Sequence, residues 1–75
     1  MKVTVQYHAM LREQKGCAEE QAEIEMGTLI ELHQKLNLCL EPKHLKVAIN
    51  DELAAWDQQL KENDVVIFIP PVAGG

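Results

Sequence analysis

The sequence predicts a small α+β domain, a mixed β-sheet packed on one main helix and followed by an extended C-terminal segment. Three observations point there. Val65-Val66-Ile67-Phe68-Ile69 is a continuous apolar, mostly β-branched run, which reads as a strand buried on both faces. Pro70-Pro71 ends it, because proline has no N–H to give to a ladder. Thr28-Leu29-Ile30-Glu31 has the form of a helix capping box, and Leu29, Leu32 and Leu36 follow at spacings of three and four. Finally, Val3, Val5 and Tyr7 alternate with Thr4, Gln6 and His8, the period of a strand with one buried face.

Taken in order, residues 2 to 8 form the first strand. Residues 9 to 15 are strong helix formers closed by Gly16, which predicts one or two helical turns. Residues 19 to 26 place Ala22, Ile24 and Met26 on one side and Glu23 and Glu25 on the other, a second strand hairpinned to the first. Gly27 breaks it. In the capping box the Thr28 hydroxyl is expected to take the Glu31 amide while Glu31 reaches back to the cap amide. The helix stripe is expected to run on to Cys39 or Leu40, with Pro42 barring continuation. Residues 46 to 49 make a short strand, Asn50-Asp51 a turn, and residues 53 to 56 a return. Strand, strand, helix, short strands and a buried last strand is the β-grasp order of ubiquitin-like domains, although the order alone also fits other small α+β folds; residues 65 to 69 are expected to be central in the sheet. The expected division is a domain over residues 1–69 and an extended tail over residues 70–75.

Seventy-five residues make one domain with little room for an enclosed active-site cavity or bound cofactor, which favours a carrier or binding role over a self-contained enzyme. The net charge is −5, with no Lys/Arg cluster standing out along the chain, so nucleic acid is an unsuitable partner and a basic docking face a suitable one. No apolar run approaches the ~20 residues of a membrane span. Cys17 and Cys39 form neither a CxxC pair nor a metal-ligand spacing, and no leader pattern precedes residue 2, so the expectation is a reducing, cytoplasmic setting without a membrane.

The tail, Pro70-Pro71-Val72-Ala73-Gly74-Gly75, is the candidate functional stretch. Six extended residues span on the order of 20 Å, enough to thread a slot in a partner. Glycines without Cβ atoms enter a narrow tunnel and take the φ/ψ it demands. At ordinary glycine usage, two adjacent terminal glycines arise in only roughly 0.5% of chains, which sets this ending apart from a frayed terminus.

Tyr7-His8-Ala9-Met10-Leu11-Arg12-Glu13, Val47-Ala48-Ile49-Asn50 and above all Asn63 through Gly75 resemble the ubiquitin-like sulfur carriers, on the molybdopterin synthase side of that family. Carriers serving thiazole formation look similar but usually lack the helical Leu-Arg-Glu segment and the proline pair. The chain departs from the family in having His8 and Ile69 where aromatics are common. The resemblance implies that Gly75 is adenylated by an ATP-using, ubiquitin-activating-like enzyme and converted to a thiocarboxylate. The tail would then enter the large subunit of molybdopterin synthase, and sulfur would pass to a cyclic pyranopterin precursor. No cofactor would be bound by the chain itself; ATP would be used by the activating enzyme. Delivery of sulfur to thiamine thiazole or another acceptor, ubiquitin-like attachment to target lysines, and a plain interaction module with an inert tail are the alternatives. In the leading scheme Gly75 carries the reacting atom, Gly74, Ala73 and Val72 give clearance, and Pro70 and Pro71 limit the entropy lost on threading.

Docking needs a surface beyond the tail. One side of residues 65 to 69 must meet the helix, and the other faces either a partner or covering loops; Leu53 and Ile69 are the expected exposed apolar set. His8, His33 and His44 have no partner at ligand spacing, so packing or solvated histidines are expected and no metal site. Cys17 is expected to be an exposed thiol and Cys39 a small core residue on the helix stripe. Glu19, Glu20, Glu23 and Glu25 read as a wet strand face, and Arg12 with Glu13 as a local ion pair of little worth.

Overall fold

Alternation, capping and proline placement build the elements of the computed structural model, which describes residues 1–71. The order is β1 (Lys2–Tyr7), α1 (Ala9–Lys15), β2 (Glu19–Glu23), α2 (Leu29–Leu36), a 3-10 turn (Pro42–His44), β3 (Lys46–Ile49), β4 (Glu52–Ala54) and β5 (Val65–Ile69). Among the described residues the strands form one mixed sheet in the order β2-β1-β5-β3-β4. β5 lies in the middle, as its apolar run predicts, parallel to β1 and antiparallel to β3. A parallel β1–β5 pair needs a long crossover, and the intervening chain, α2 included, supplies it.

One face of the sheet holds the core. Val3, Val5, Tyr7, Val47, Ile49, Val66 and Phe68 pack with Leu29, Leu32 and Leu36 of α2, together with Leu11, Ile24, Leu38, Leu45 and Leu60. Two-sided burial of β5 does not hold. Val66 and Phe68 are fully buried, whereas Val65, Ile67 and Ile69 are only half-buried, because α2 covers one side of the sheet and, among the described residues, no second layer covers the other.

β2 is shorter than its sequence pattern. It ends at Glu23, Ile24 still turns into the core, and Met26 is 69% exposed instead of sharing its face. Glu31 explains the break. Its amide bonds the Thr28 hydroxyl as a capping box requires, but its carboxylate accepts the amides of Glu25, Met26 and Gly27 and not that of Thr28. Three backbone donors, first that of Glu25, hold this exposed carboxyl below the usual carboxylate range. α2 stops at Leu36 because Asn37 adopts the left-handed conformation (φ 52°) and reverses the chain. The stripe therefore does not reach Cys39, which is exposed, and Leu38 takes the core position.

Gly27 meets both demands that call for glycine. Its φ is +73°, and a Cβ there would sit 2.3 Å from Gln59 Nε2, 3.0 Å from Met1 Cε and 3.3 Å from the Leu60 carbonyl oxygen. Gly16 shares the φ of +73° but would place its Cβ in open space. Gly16→Ala is expected to lose about 1–2 kcal/mol, the left-handed penalty alone, and Gly27→Ala a further increment for the clash. Urea midpoints of the two variants check this; equal losses would show that Gln59 simply swings aside.

Candidate functional site

The tail leaves the sheet from the end of its central strand. Ile69 pairs with Lys46 at the last register position of β5 with β3. Pro70 is buried and Pro71 exposed, so side-chain packing reaches one residue past the final ladder position. The ladder ends here because proline offers no amide. Val72, Ala73, Gly74 and Gly75 lie outside the described residues.

The base of β5 is fixed by a polar network that the sequence pattern did not expose. Asn50 and Asp51 both have positive φ (52° and 70°), the backbone of a tight two-residue hairpin turn between β3 and β4. The Asn50 side chain then ties the hairpin to β5. Its Nδ2 donates to Asp64 Oδ1 at 2.9 Å and its Oδ1 accepts the Val65 amide at 2.9 Å. Asp64, buried, also accepts the Lys61 amide at 2.8 Å. Asn50 read in isolation is a turn former; its second role requires β3 and β5 to be neighbours.

The uncovered sheet face carries an apolar strip. Leu53 stands opposite Ala48, and Ala48 opposite Ile67, with Ile69 two residues along the same side of β5. Leu53 is 75% exposed, the highest among the large apolar side chains described. The structure thus puts Leu53 and Ile69 on one face with Ala48 and Ile67 between them; of the expected exposed pair only Leu53 is fully open, Ile69 being half-buried like Ile67, while Ala48 is buried among its larger neighbours. Odd-number parity along residues 65 to 69 is the signal for Ile67; Ala48 gives none before the strands are paired.

The other candidates have structural work. His33 donates from Nε2 to the Leu40 carbonyl at 2.7 Å and meets Trp56 and Phe68 edge-on, a packing histidine. Trp56 is not on the return strand, which ends at Ala54; its ring stacks on Phe68 instead. The Tyr7 hydroxyl donates to Glu20, and burial first, then that bond, push it well above the ordinary phenol range, so it stays protonated. Cys17 is half-buried against the core and not freely exposed. No metal-holding group of three ligands occurs among the described residues, and Arg12 and Glu13 form no ion pair there. No described helix is long and apolar enough to cross a membrane.

The described residues thus combine a partly exposed apolar sheet face with a central strand that leads directly into Pro70-Pro71. The sequence profile of the ThiS family matches residues 5–75. The chain belongs to the ThiS family. Its fold is the ubiquitin-like β-grasp, and the solved neighbours agree. A Pyrococcus furiosus protein described as molybdopterin converting factor subunit 1 superposes with a TM-score of 0.77 at 26% identity, covering 96% of this chain and 99% of that one. A chain from a complex of subunits 1 and 2 of the Helicobacter pylori molybdopterin-converting factor gives 0.68 at 27% identity, with full coverage of both. In sequence, this ThiS-family chain is 31% identical over 80 aligned positions to the molybdopterin synthase sulfur carrier subunit of Escherichia coli K12, covering 97% of this chain and 99% of the relative.

Proposed function

We propose that this ThiS-family chain is the sulfur-carrying small subunit of molybdopterin synthase. The observation that carries the reading is the similarity to the Escherichia coli sulfur carrier subunit over 97% of this chain and 99% of that one, together with a family profile that runs through Gly75. In this scheme Gly75 is the chain end. Its carboxylate, with a pKa near 3.5 when free, is ionised and inert as an electrophile at neutral pH. An activating enzyme attaches it to the α-phosphorus of ATP, releasing pyrophosphate. A sulfur nucleophile then displaces AMP, leaving a thiocarboxylate. Transfer of that sulfur to a cyclic pyranopterin precursor bound by the large subunit, with water restoring the carboxylate, contributes to the dithiolene of molybdopterin.

The chain's own part is presentation. β5 fixes where the tail starts, Pro70 and Pro71 stiffen its root, and Val72, Ala73 and Gly74 keep it slim enough for a slot. The strip of Leu53, Ala48, Ile67 and Ile69 holds the domain against the large subunit while the tip reacts. The chain alone performs no catalysis in this scheme; it is the sulfur-donating half of a sulfurtransferase.

Intact mass of the protein isolated from cells holding an activating enzyme tests the scheme. A rise equal to the exchange of one oxygen for sulfur, lost on adding the large subunit with the pterin precursor, is expected. Unchanged mass overturns it, and ladders of larger conjugates favour the modifier chemistry instead. Leu53→Glu is expected to weaken binding of the large subunit at least about tenfold while thiocarboxylation proceeds, since a charge replaces an apolar contact at the strip's most exposed point. Unchanged affinity in a titration would remove Leu53 from the interface.

A further inference from the structure

The grooves of this acidic chain differ in charge. Those around α1 mix signs: Arg12 with Glu13 in one, Arg12 and His8 with Glu19 in another. The groove at the tail root does not. It measures about 390 Å³ and is walled by Ile69, Pro70 and Pro71 on one side and by Lys43, His44, Leu45 and Lys46 on the other, with no carboxylate in its lining. Lys46 is exposed, forms no ion pair among the described residues, and also borders the adjoining groove with Leu53 and Trp56. Lys43 meets Glu41 at 3.4 Å, but both are about 70% exposed, which leaves Lys43 available to a stronger acceptor. A chain of net charge −5 therefore places a local cationic site beside the prolines from which its reactive tail departs.

We propose that this groove is read by an acidic segment of the enzyme that adenylates Gly75, with Lys46 as the principal contact and Lys43 as the second. The inference rests on the activation step proposed above. Val72-Ala73-Gly74-Gly75 fits a slot because it has no functional side chains, and for that reason the tail cannot distinguish this carrier from another protein ending in two glycines. Discrimination has to come from the nearest residues that do carry chemistry, and those line the groove. Adenylation is the step at which discrimination matters, because it commits the chain to sulfur loading. Paired charges at an open rim act on encounter rate and register more than on residence, which suits a partner that must release each chain after one turnover.

Steady-state adenylation, followed by pyrophosphate release and by intact mass, tests this with Lys46→Glu, Lys43→Glu and, as a control of identical charge change away from the groove, Lys61→Glu. At low ionic strength Lys46→Glu is expected to lower kcat/KM about tenfold or more, through KM, with Lys43→Glu smaller and Lys61→Glu within about twofold of wild type. The gap is expected to shrink as salt is raised. Because Lys46 stands opposite Ile69 and beside Leu53, affinity for the large synthase subunit is expected to fall for Lys46→Glu as well, but by a clearly smaller factor than kcat/KM for adenylation, and to stay within about twofold for Lys61→Glu. Equal behaviour of Lys46→Glu and Lys61→Glu overturns the groove while leaving the sulfur-carrier scheme intact, as does an equal loss of affinity for the large subunit. Failure of the wild-type chain to be adenylated at all overturns both.

Discussion

Deleting Gly75 is expected to abolish sulfur transfer completely and to leave the thermal midpoint within about 1 °C of wild type. The reacting atom in the proposed scheme is the terminal carboxyl carbon of Gly75. The deletion leaves Gly74 as chain end, one residue short, and an extended chain loses about 3.3 Å of reach per residue. A near-attack geometry does not survive a misplacement of that size, since even 1 Å costs on the order of a hundredfold in rate. Stability is another matter. Among the described residues the core cluster runs from Val3 to Phe68. Differential scanning calorimetry of the deleted chain, beside an assay of thiocarboxylate by intact mass, separates the two effects. A large drop in midpoint would make the tail part of the fold; normal sulfur loading would move the chemistry away from the terminus.

The second large effect is in the core. Phe68→Ala is expected to cost about 3–5 kcal/mol. A 75-residue domain holds only about 4–11 kcal/mol in total, so this one change takes roughly a quarter or more of it. Phe68 is fully buried on β5, stacked on Trp56 with ring centroids 5.8 Å apart and met edge-on by His33 at 6.4 Å. It also stands opposite Tyr7 on β1 and Val47 on β3, so its cavity would open at the junction of three strands. Urea unfolding should show a lower midpoint with the slope kept, and Phe68→Leu should recover much of the loss. Because Phe68 lies one residue before Ile69 and the tail root, sulfur transfer is expected to fall in proportion to the unfolded fraction. A loss below about 1 kcal/mol would show that Trp56 and His33 collapse into the space.

The sites of these effects were visible in the sequence to different degrees. Alternation over residues 2 to 8, the capping box at Thr28 and the apolar run before Pro70-Pro71 give β1, α2 and the central β5 directly, because each depends on neighbours within one or two turns of chain. Where the reading failed, a side chain or backbone turn outside the hydrophobic pattern had intervened. Glu31 captures three amides ahead of the helix and cuts β2 short. Asn37 turns left-handed and takes Cys39 off the helix, although nothing in the leucine spacing forbids another turn. Trp56 leaves the return strand for the ring of Phe68.

By itself the sequence determined an α+β order of strands around one capped helix and a Gly-Gly segment whose distinguishing chemistry is its smallness. Both properties are local: hydrophobic period and proline set the strands and helix, and the lack of side chains at Gly74 and Gly75 is written in the residues. Tertiary structure decided which face of β5 stays open, that Leu53, Ala48 and Ile67 form one strip with Ile69, that Asn50 and Asp64 brace the base of the strand, and that Lys43 and Lys46 border the tail root. Those depend on strand order and register, and a register is fixed only when the whole sheet closes over its core, since a slip of one residue would turn every side chain to the other face.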